Sequence, residues 1–453
     1  MVESFKNKNV TIMGLGLHGG GLASALFFLK EGANLTITDL RSEEILKPTL
    51  SQLENYNIKY TIGKHIDEDF INADIVIKNP GVPSNSKYLK LSKRIETDIS
   101  IFLSRVNCPI IAVTGSKGKS STVSAINFVL KRVNPKTKLG GNITVSPLTF
   151  LDEVDDETPV ILELSSWQLA DIRGKNILKA DIATVTNIMN DHQNAYNSLE
   201  AYADDKAVIF EGLKGDAILN YYDKFTDFFK KKLEKTPLFV SNDTLPKHID
   251  GAFLDSLGQG WMQIGGRLEL ILSHELAIKG SHQRENLLLA ALILKRFNIE
   301  AKVIKSALSE FTGIPHRMEF FKELDGIKYY NDSAATIPEA VCAALMSFTD
   351  PVRLISGGTD KELIFDNIAP AFKRAKTIHL LEGTGTDKII KELDKASIKY
   401  FGPYSSLDQL IKELKPTLEN GDSVLFSPGA TSFGMFNNEF HRGNYFKDII
   451  SNI

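Results

Sequence analysis

The sequence is short of cysteine, of net charge and of long apolar runs. Its 453 residues include two cysteines, Cys108 and Cys342, far apart in the chain. That argues against a disulfide framework and suits a reducing compartment. The 53 basic and 56 acidic residues leave a formal net charge of −3. No general attraction to nucleic acid or an anionic membrane follows, so any phosphate must be held by a local site. No apolar run approaches the roughly 20 residues needed to span a bilayer. Lys6 and Lys8 interrupt the N-terminal stretch, which lacks a signal-peptide core. There is no short-period repeat and no low-complexity tract. These absences predict a cytoplasmic protein without nucleic-acid or membrane partners. What is present is an ordinary globular composition, 43% apolar and 24% charged, at a length that fits about three domains.

The stretch from Pro109 to Thr122 organises the rest. Pro109-Ile110-Ile111-Ala112-Val113-Thr114 reads as a buried strand. Gly115-Ser116-Lys117-Gly118-Lys119-Ser120-Ser121-Thr122 follows, then an apolar-periodic helix from Val123 to Leu130. Strand, glycine loop and helix N-terminus together make a phosphate cradle, because loop N–H groups and the helix dipole favour anions at one spot. Lys119 supplies a point charge and Ser120 a hydroxyl that can ligate magnesium. The spacing is G-x-x-G-K-S rather than the common G-x-x-x-x-G-K-[ST].

The first region, residues 1–98, reads as a parallel doubly wound α/β unit. A strand at Val10-Thr11-Ile12-Met13 runs into Gly14, Gly16 and Gly19, which satisfy G-x-G-x-x-G, and Asp39 ends the next strand. That pattern marks a nucleotide-diphosphate site and leaves NAD open as its ligand. Arg41 follows the acid as a solvated charge or a ribose or phosphate contact. The turn Asn79-Pro80-Gly81 ends another strand, and turns at carboxyl ends of parallel strands line ligand crevices.

In the second region, residues 99–313, Glu163 sits near the end of the apolar strand Val160-Ile161-Leu162. A carboxylate there is costly to bury alone; a magnesium ion or a lysine would compensate it. Asn187-Ile188-Met189-Asn190-Asp191-His192 follows a strand over 180–186, and Lys206 lies in a helical stretch over 198–210. Gly280 to Asn286 precedes a helix predicted from Leu287 to Phe297, and its polar residues could cap that helix or hold a base. Residues 214–275 show no motif. In the third region, residues 314–453, three strand-end loops carry polar groups: Asn331-Asp332-Ser333, Gly357-Gly358-Thr359-Asp360-Lys361 and Ser427-Pro428-Gly429. Alternating strands and helices make it a third α/β unit.

Taken in order, Thr114 to Thr122, Glu163-Leu164-Ser165-Ser166-Trp167-Gln168-Leu169, Asn187 to His192, Pro315-His316-Arg317, Asn331-Asp332-Ser333, Gly357 to Lys361 and Ser427-Pro428 through Arg442-Gly443-Asn444 resemble the Mur ligases over essentially the whole chain. The resemblance implies three domains: a Rossmann-like UDP-binding unit, a central ATPase unit and a C-terminal Rossmann-like unit. It implies an ATP-driven amide synthesis in peptidoglycan assembly, through an acyl phosphate, with D-glutamate joined to UDP-N-acetylmuramoyl-L-alanine. Another amino acid, such as L-glutamate, is the alternative.

The same resemblance implies the site residues. Gly115, Ser116, Lys117, Gly118, Lys119, Ser120 and Ser121 would hold ATP phosphates, with Asn286, Arg317 and Asp332 at its base, phosphate and ribose. Ser120, Glu163, His192 and a carbamylated Lys206 would hold two magnesium ions; Lys119, His192 and Lys206 would be catalytic. Gly16, Leu17, His18, Asp39, Arg41, Asn79 and Gly81 would hold the uridine nucleotide, replacing the NAD reading. Asn142, Ser165 and Gln168 would lie nearer the muramoyl part, and Thr336, Lys361 and Ser432 would hold glutamate. The partners would be small molecules and the protein a monomer. Ala334 stands where many relatives have lysine and Glu439 where an aromatic is common. Gln283, Gln193-Asn194 and Lys117 depart similarly.

Overall fold

In the computed structural model, residues 3–452 are described except 18, 144, 190–195, 197, 279, 361, 362, 364, 433 and 437. Three sheets are present, lying in two compact units, residues 1–311 and 312–453.

The first sheet holds β1 (Asn9–Met13), β2 (Asn34–Asp39), β3 (Lys59–Ile62), β4 (Ile75–Lys78) and β5 (Ile95–Glu96). Its order is β3-β2-β1-β4-β5 and every pairing is parallel. Strand order therefore reverses at β1, so the loop after β1 and the turn after β4 open onto one crevice. The helix Gly20–Lys30 starts at that crevice.

The second sheet has nine strands. These are β6 (Ile110–Thr114), β7 (Lys138–Gly141), β8 (Val160–Glu163), β9 (Ile182–Val185), β10 (Asp216–Asn220), β11 (Leu238–Ser241), β12 (Gly251–Leu254), β13 (Gly260–Ile264) and β14 (Arg267–Leu272). Their order is β14-β13-β12-β11-β10-β9-β6-β8-β7. The central β6 is flanked by β8 and β9, with Val113 opposite Glu163 and Thr114 opposite Val185. The motif-free stretch over 214–275 thus supplies β10 to β14, of which β13 and β14 pair antiparallel.

Residues 1–311 form one unit because one apolar core runs through both sheets. Phe5, Phe27, Phe28, Ile99 and Phe102 cluster with Leu148, Phe150, Leu162 and Leu169, all buried. Phe102 and Phe150 meet edge to face at 5.7 Å. Polar links add to it. Lys78 Nζ reaches Asp171 at 2.7 Å, with the lysine 3% exposed. Lys175 pairs with Glu96 at 2.6 Å, and Ser146 Oγ donates to Asp98 at 2.8 Å. A buried pair of this kind fixes geometry more than it adds stability.

The other unit carries β15 (Glu319–Leu324), β16 (Ile327–Asn331), β17 (Val352–Ser356), β18 (Thr377–Leu381), β19 (Phe401–Tyr404) and β20 (Ser423–Phe426). Their order is β15-β16-β20-β17-β18-β19, parallel except for β15.

The helix expected from Leu287 instead runs from Ser281 to Arg296. Its first turns are polar and exposed or half-buried, while Leu287 to Leu294 are buried, so the apolar pattern begins late although the helix does not. No described helix is long and apolar enough to cross a membrane.

A continuous core predicts coupled unfolding. Phe102→Ala is expected to cost about 3–5 kcal/mol and to lower amide protection in the first and second sheets together, measured by hydrogen exchange in urea. Loss confined to one sheet would show that the two open independently.

Candidate functional site

The loop after β6 is shaped by two glycines. Gly115 has φ +142°, and a Cβ there would lie 1.9 Å from Thr186 Oγ1. Gly118 has φ +85°, and its Cβ would lie 2.3 Å from Asn286 Oδ1. No other residue fits either place without moving a neighbour. The helix Lys119–Val133 starts directly after Gly118, so its free N–H groups open at the loop.

The neighbouring strand end clamps this loop. Thr186 Oγ1 donates to Lys117 O at 2.6 Å, and Asn187 Nδ2 donates to the same oxygen at 3.2 Å. Lys117 N donates to Asn187 Oδ1 at 3.0 Å, and Ser116 N to Asn187 O at 2.9 Å. Lys119 Nζ donates to Gly115 O at 2.9 Å and Ser116 O at 3.0 Å. Its ammonium therefore lies over the loop.

Lys206 is 2% exposed. Its Nζ is 3.4 Å from Thr114 Oγ1, at the root of the loop, and 4.5 Å over the Tyr202 ring. Tyr202 OH is 3.4 Å from Ser116 Oγ. Tyr202 and Lys206 are four residues apart on the helix Leu199–Ala207, a spacing that puts both on one face.

Glu163 ends β8, beside the loop, and is 1% exposed. Asn142 Nδ2 donates to Glu163 Oε1 at 2.9 Å. The other oxygen, Oε2, is buried and has no hydrogen-bond partner among the described residues. A carboxylate oxygen left bare at that depth is costly, and a hard cation would satisfy it. No group of three His, Cys, Asp or Glu side chains suited to a metal occurs among the described residues. Magnesium shared with nucleotide phosphates needs only one or two carboxylates, so the residues fit that ion rather than a protein cage.

The first crevice gathers Gly16, Asp39, Arg41, Asn79 and Gly81. Asp39, 3% exposed, accepts from Gly16 N at 3.1 Å and Arg41 N at 2.9 Å. Its carboxylate thus fastens the glycine loop, a task the motif alone does not show. Asn79 Oδ1 accepts from Gly81 N at 3.2 Å, forming a tight turn. Leu17 lies on the same loop, half-buried. Ser165 and Gln168 bond each other across the first turn of the helix Ser166–Ile172, so both serve as its cap.

In residues 312–453 the expected groups gather at the carboxyl edge of the third sheet. Asp332 accepts from Ser427 Oγ at 2.6 Å and Met318 N at 2.9 Å. Arg317 is exposed and lies between His316 (φ +63°) and Met318 (φ +46°), both in the left-handed region. His316 is held by Asn331 Nδ2 at 2.9 Å, and its N–H donates to Glu319 at 2.8 Å. The fully buried Arg442 donates to Ser333 Oγ at 3.0 Å, Ser333 O at 2.9 Å and Ala430 O at 3.1 Å, tying two loops together. Thr336 and the buried Ser432 lie on those same loops, and Gly429 N donates to Ala335 O at 2.8 Å.

The structure thus gathers Gly115, Ser116, Lys117, Gly118, Lys119, Ser120, Ser121, Lys206 and Asn286 at one loop, with Glu163 at the adjoining strand end. Asn286, expected near a base, sits against the loop itself. His18, His192 and Lys361 lie outside the described residues. Thr186 and Tyr202 belong to no motif; the spacing of Tyr202 to Lys206 is the one signal that could have exposed either.

Burial pushes the Asp332 carboxyl up to about 6, against the opposing pull of Ser427, Met318 and Arg317. Its folded value lies above the ordinary one near 4. The native state holds this proton more tightly, so the group's contribution to stability is lost as pH rises from about 4 through about 6. Asp332→Asn keeps both hydrogen bonds once the Ser427 hydroxyl turns to accept. It is expected to raise the thermal midpoint more at pH 8 than at pH 5, measured by calorimetry. An equal shift at both pH values would contradict the buried charge.

Three family profiles match the chain: "Mur ligase MurD-like, N-terminal domain" over residues 8–102, "Mur ligase middle domain" over 113–294 and "Mur ligase, glutamate ligase domain" over 316–429. The UDP-N-acetylmuramoylalanine–D-glutamate ligase of Borreliella burgdorferi (strain ZS7) is 41% identical over 458 residues, covering 100% of both chains. The ligase of the same name from Treponema pallidum is 37% identical, covering 98% of each. Among solved structures, the UDP-N-acetylmuramate–alanine ligase MurC of Thermotoga maritima superposes with TM-score 0.57 at 19% identity, over 98% of this chain and 100% of that one. MurF of Acinetobacter baumannii gives 0.56 at 14%, over 92% and 90%. With relatives this similar over its full length and a glycine turn, lysine and buried carboxylate at the sheet edge, the chain belongs to the Mur ligase family.

Proposed function

We propose that this chain joins D-glutamate to the carboxylate of UDP-N-acetylmuramoyl-L-alanine, using ATP. The observation that carries the chemistry is the buried Oε2 of Glu163, without a hydrogen-bond partner among the described residues, next to the turn that carries Lys119. Residues 1–98 take the uridine nucleotide, residues 99–313 take ATP, and residues 314–453 take the amino acid. The protein acts as a cytoplasmic monomer on these small molecules.

The reaction must bring two anions into line, the substrate carboxylate and the terminal phosphoryl of ATP. The carboxylate oxygen attacks that phosphorus and ADP leaves. The glutamate nitrogen then attacks the acyl carbon, phosphate leaves and the amine gives up a proton. Loop N–H groups from Gly115 to Ser121 and the Lys119 ammonium hold the phosphates, with Asn286 beside them; the family resemblance assigns Arg317 and Asp332 to ATP as well. Ser120, Glu163, His192 and Lys206 would hold two magnesium ions, which neutralise charge on the transferring phosphoryl group when bound. Carbamylation of Lys206 would turn an ammonium into an oxygen ligand. Gly16, Leu17, His18, Asp39, Arg41, Asn79 and Gly81 hold the uridine nucleotide, with Asn142, Ser165 and Gln168 on the muramoyl side. Thr336, Lys361 and Ser432 hold the glutamate carboxylates.

Ala334 and Glu439 favour a second reading, in which another amino acid, such as L-glutamate, is added. Ser333 Oγ donates to Glu439 O at 2.7 Å, so both departures lie at the loops assigned to the amino acid.

Phosphate release from ATP is expected only when UDP-N-acetylmuramoyl-L-alanine and D-glutamate are both present. Release with L-glutamate instead would establish the second reading. Lys119→Ala is expected to lower kcat by about 10²–10³-fold. Lys206→Ala is expected to regain activity with short carboxylates, read in the same assay; unchanged activity without them would refute the carbamate.

A further inference from the structure

We propose that Asn142 is a positioning residue for Glu163, fixing the plane of its carboxylate by holding one oxygen so that the other stays available to the cation; this rests on the reading of Glu163 as a magnesium ligand. Two hydrogen bonds join the pair. Asn142 Nδ2 donates to Glu163 Oε1 at 2.9 Å, and Asn142 N donates to Glu163 O at 2.8 Å. The backbone is brought that close by Gly141, which stands opposite Glu163 in the pairing of β7 with β8. A Cβ on Gly141 would lie 2.1 Å from Glu163 O, so the Gly140-Gly141-Asn142 turn rests directly on the acid.

The physical case starts from the carboxylate. The last torsion of a glutamate is broad, so packing alone does not fix the plane of its carboxylate. Asn142 occupies Oε1 and leaves Oε2 as the only oxygen without a partner among the described residues. A second donor on Oε2 would quench the charge a cation needs. With neither oxygen bonded, the carboxylate plane would swing about that torsion. One donor does the sorting, and outer partners of this kind commonly change metal affinity by about 10–100-fold when removed. The sequence points Asn142 toward the muramoyl part of the substrate. Its amide nitrogen is bonded to the acid, so the same turn also orients the cation's ligand.

The test uses the full-length chain and ADP affinity by calorimetry, with magnesium and with EDTA. Asn142→Ala is expected to reduce the gain in affinity that magnesium gives by about tenfold or more, with the EDTA value as in the wild type. Asn142→Ser, which keeps a small polar group but cannot reach Oε1, is expected to do the same and serves if the alanine chain does not fold. A full magnesium gain in either variant overturns the proposal. So does an equal fall with and without magnesium, which would mark Asn142 as structural only. Glu163→Gln separates the two levels. If it abolishes the gain while Asn142→Ala keeps it, only the positioning role fails. If it keeps the gain, the reading of Glu163 fails as well.

Discussion

The approach of Thr186 onto Gly115 is the contact on which the rest of the site depends. A side chain at residue 115 would occupy the Thr186 hydroxyl. Because there is none, that hydroxyl reaches past it to Lys117 O, and the strand end of β9 becomes a brace under the loop. The brace keeps the loop N–H groups pointing the same way when no phosphate is there to order them. Asn286 closes the other side against Gly118. A loop held from two sides loses little entropy on binding, which is how preorganisation contributes to affinity.

A similar principle governs the other unit, by different means. Arg317 is exposed on a backbone whose two flanking residues have positive φ. Such conformations cost free energy and persist only where neighbours over-determine them. Asn331, Glu319 and Asp332 supply those constraints. Burial also lowers the Arg442 guanidinium to about 10, and its bonds to Ser333 and Ala430 offset the cost of bringing that charge inside.

Where the chain repeats a local rule, the sequence was enough. The run Ile110–Thr114 and the glycines at 115 and 118 appear as the spacing predicts, while the helix expected from Val123 to Leu130 runs from Lys119 to Val133. Glu163 falls at the strand end that its apolar run implied. What stayed hidden depends on residues distant in sequence. Thr186 bonds a carbonyl 69 residues away, and nothing near it marks it out. Asp39 reads as a nucleotide ligand in the glycine motif, yet its oxygens also fasten Gly16 and Arg41. Ser165 and Gln168 read as substrate groups, and the capping of a helix by the same two side chains is not visible in the motif. Residues 214–275 carry no motif because strands such as β10 to β12 extend a sheet whose chemistry is elsewhere. The helix around Asn286 starts early because its first turns are solvated and show no apolar period.

The shared core of residues 1–311 has a consequence for how the chain is made. The helix Gly20–Lys30 packs against the segment Pro147–Glu153, and Phe102 packs against Phe150. When the fifth strand has left the ribosome, about 50 more residues must be added before the partners for those faces emerge. At about 5–20 residues per second, the wait is roughly 2–10 s. For that interval the nascent first sheet presents an unfinished apolar wall, the kind of surface that chaperones bind.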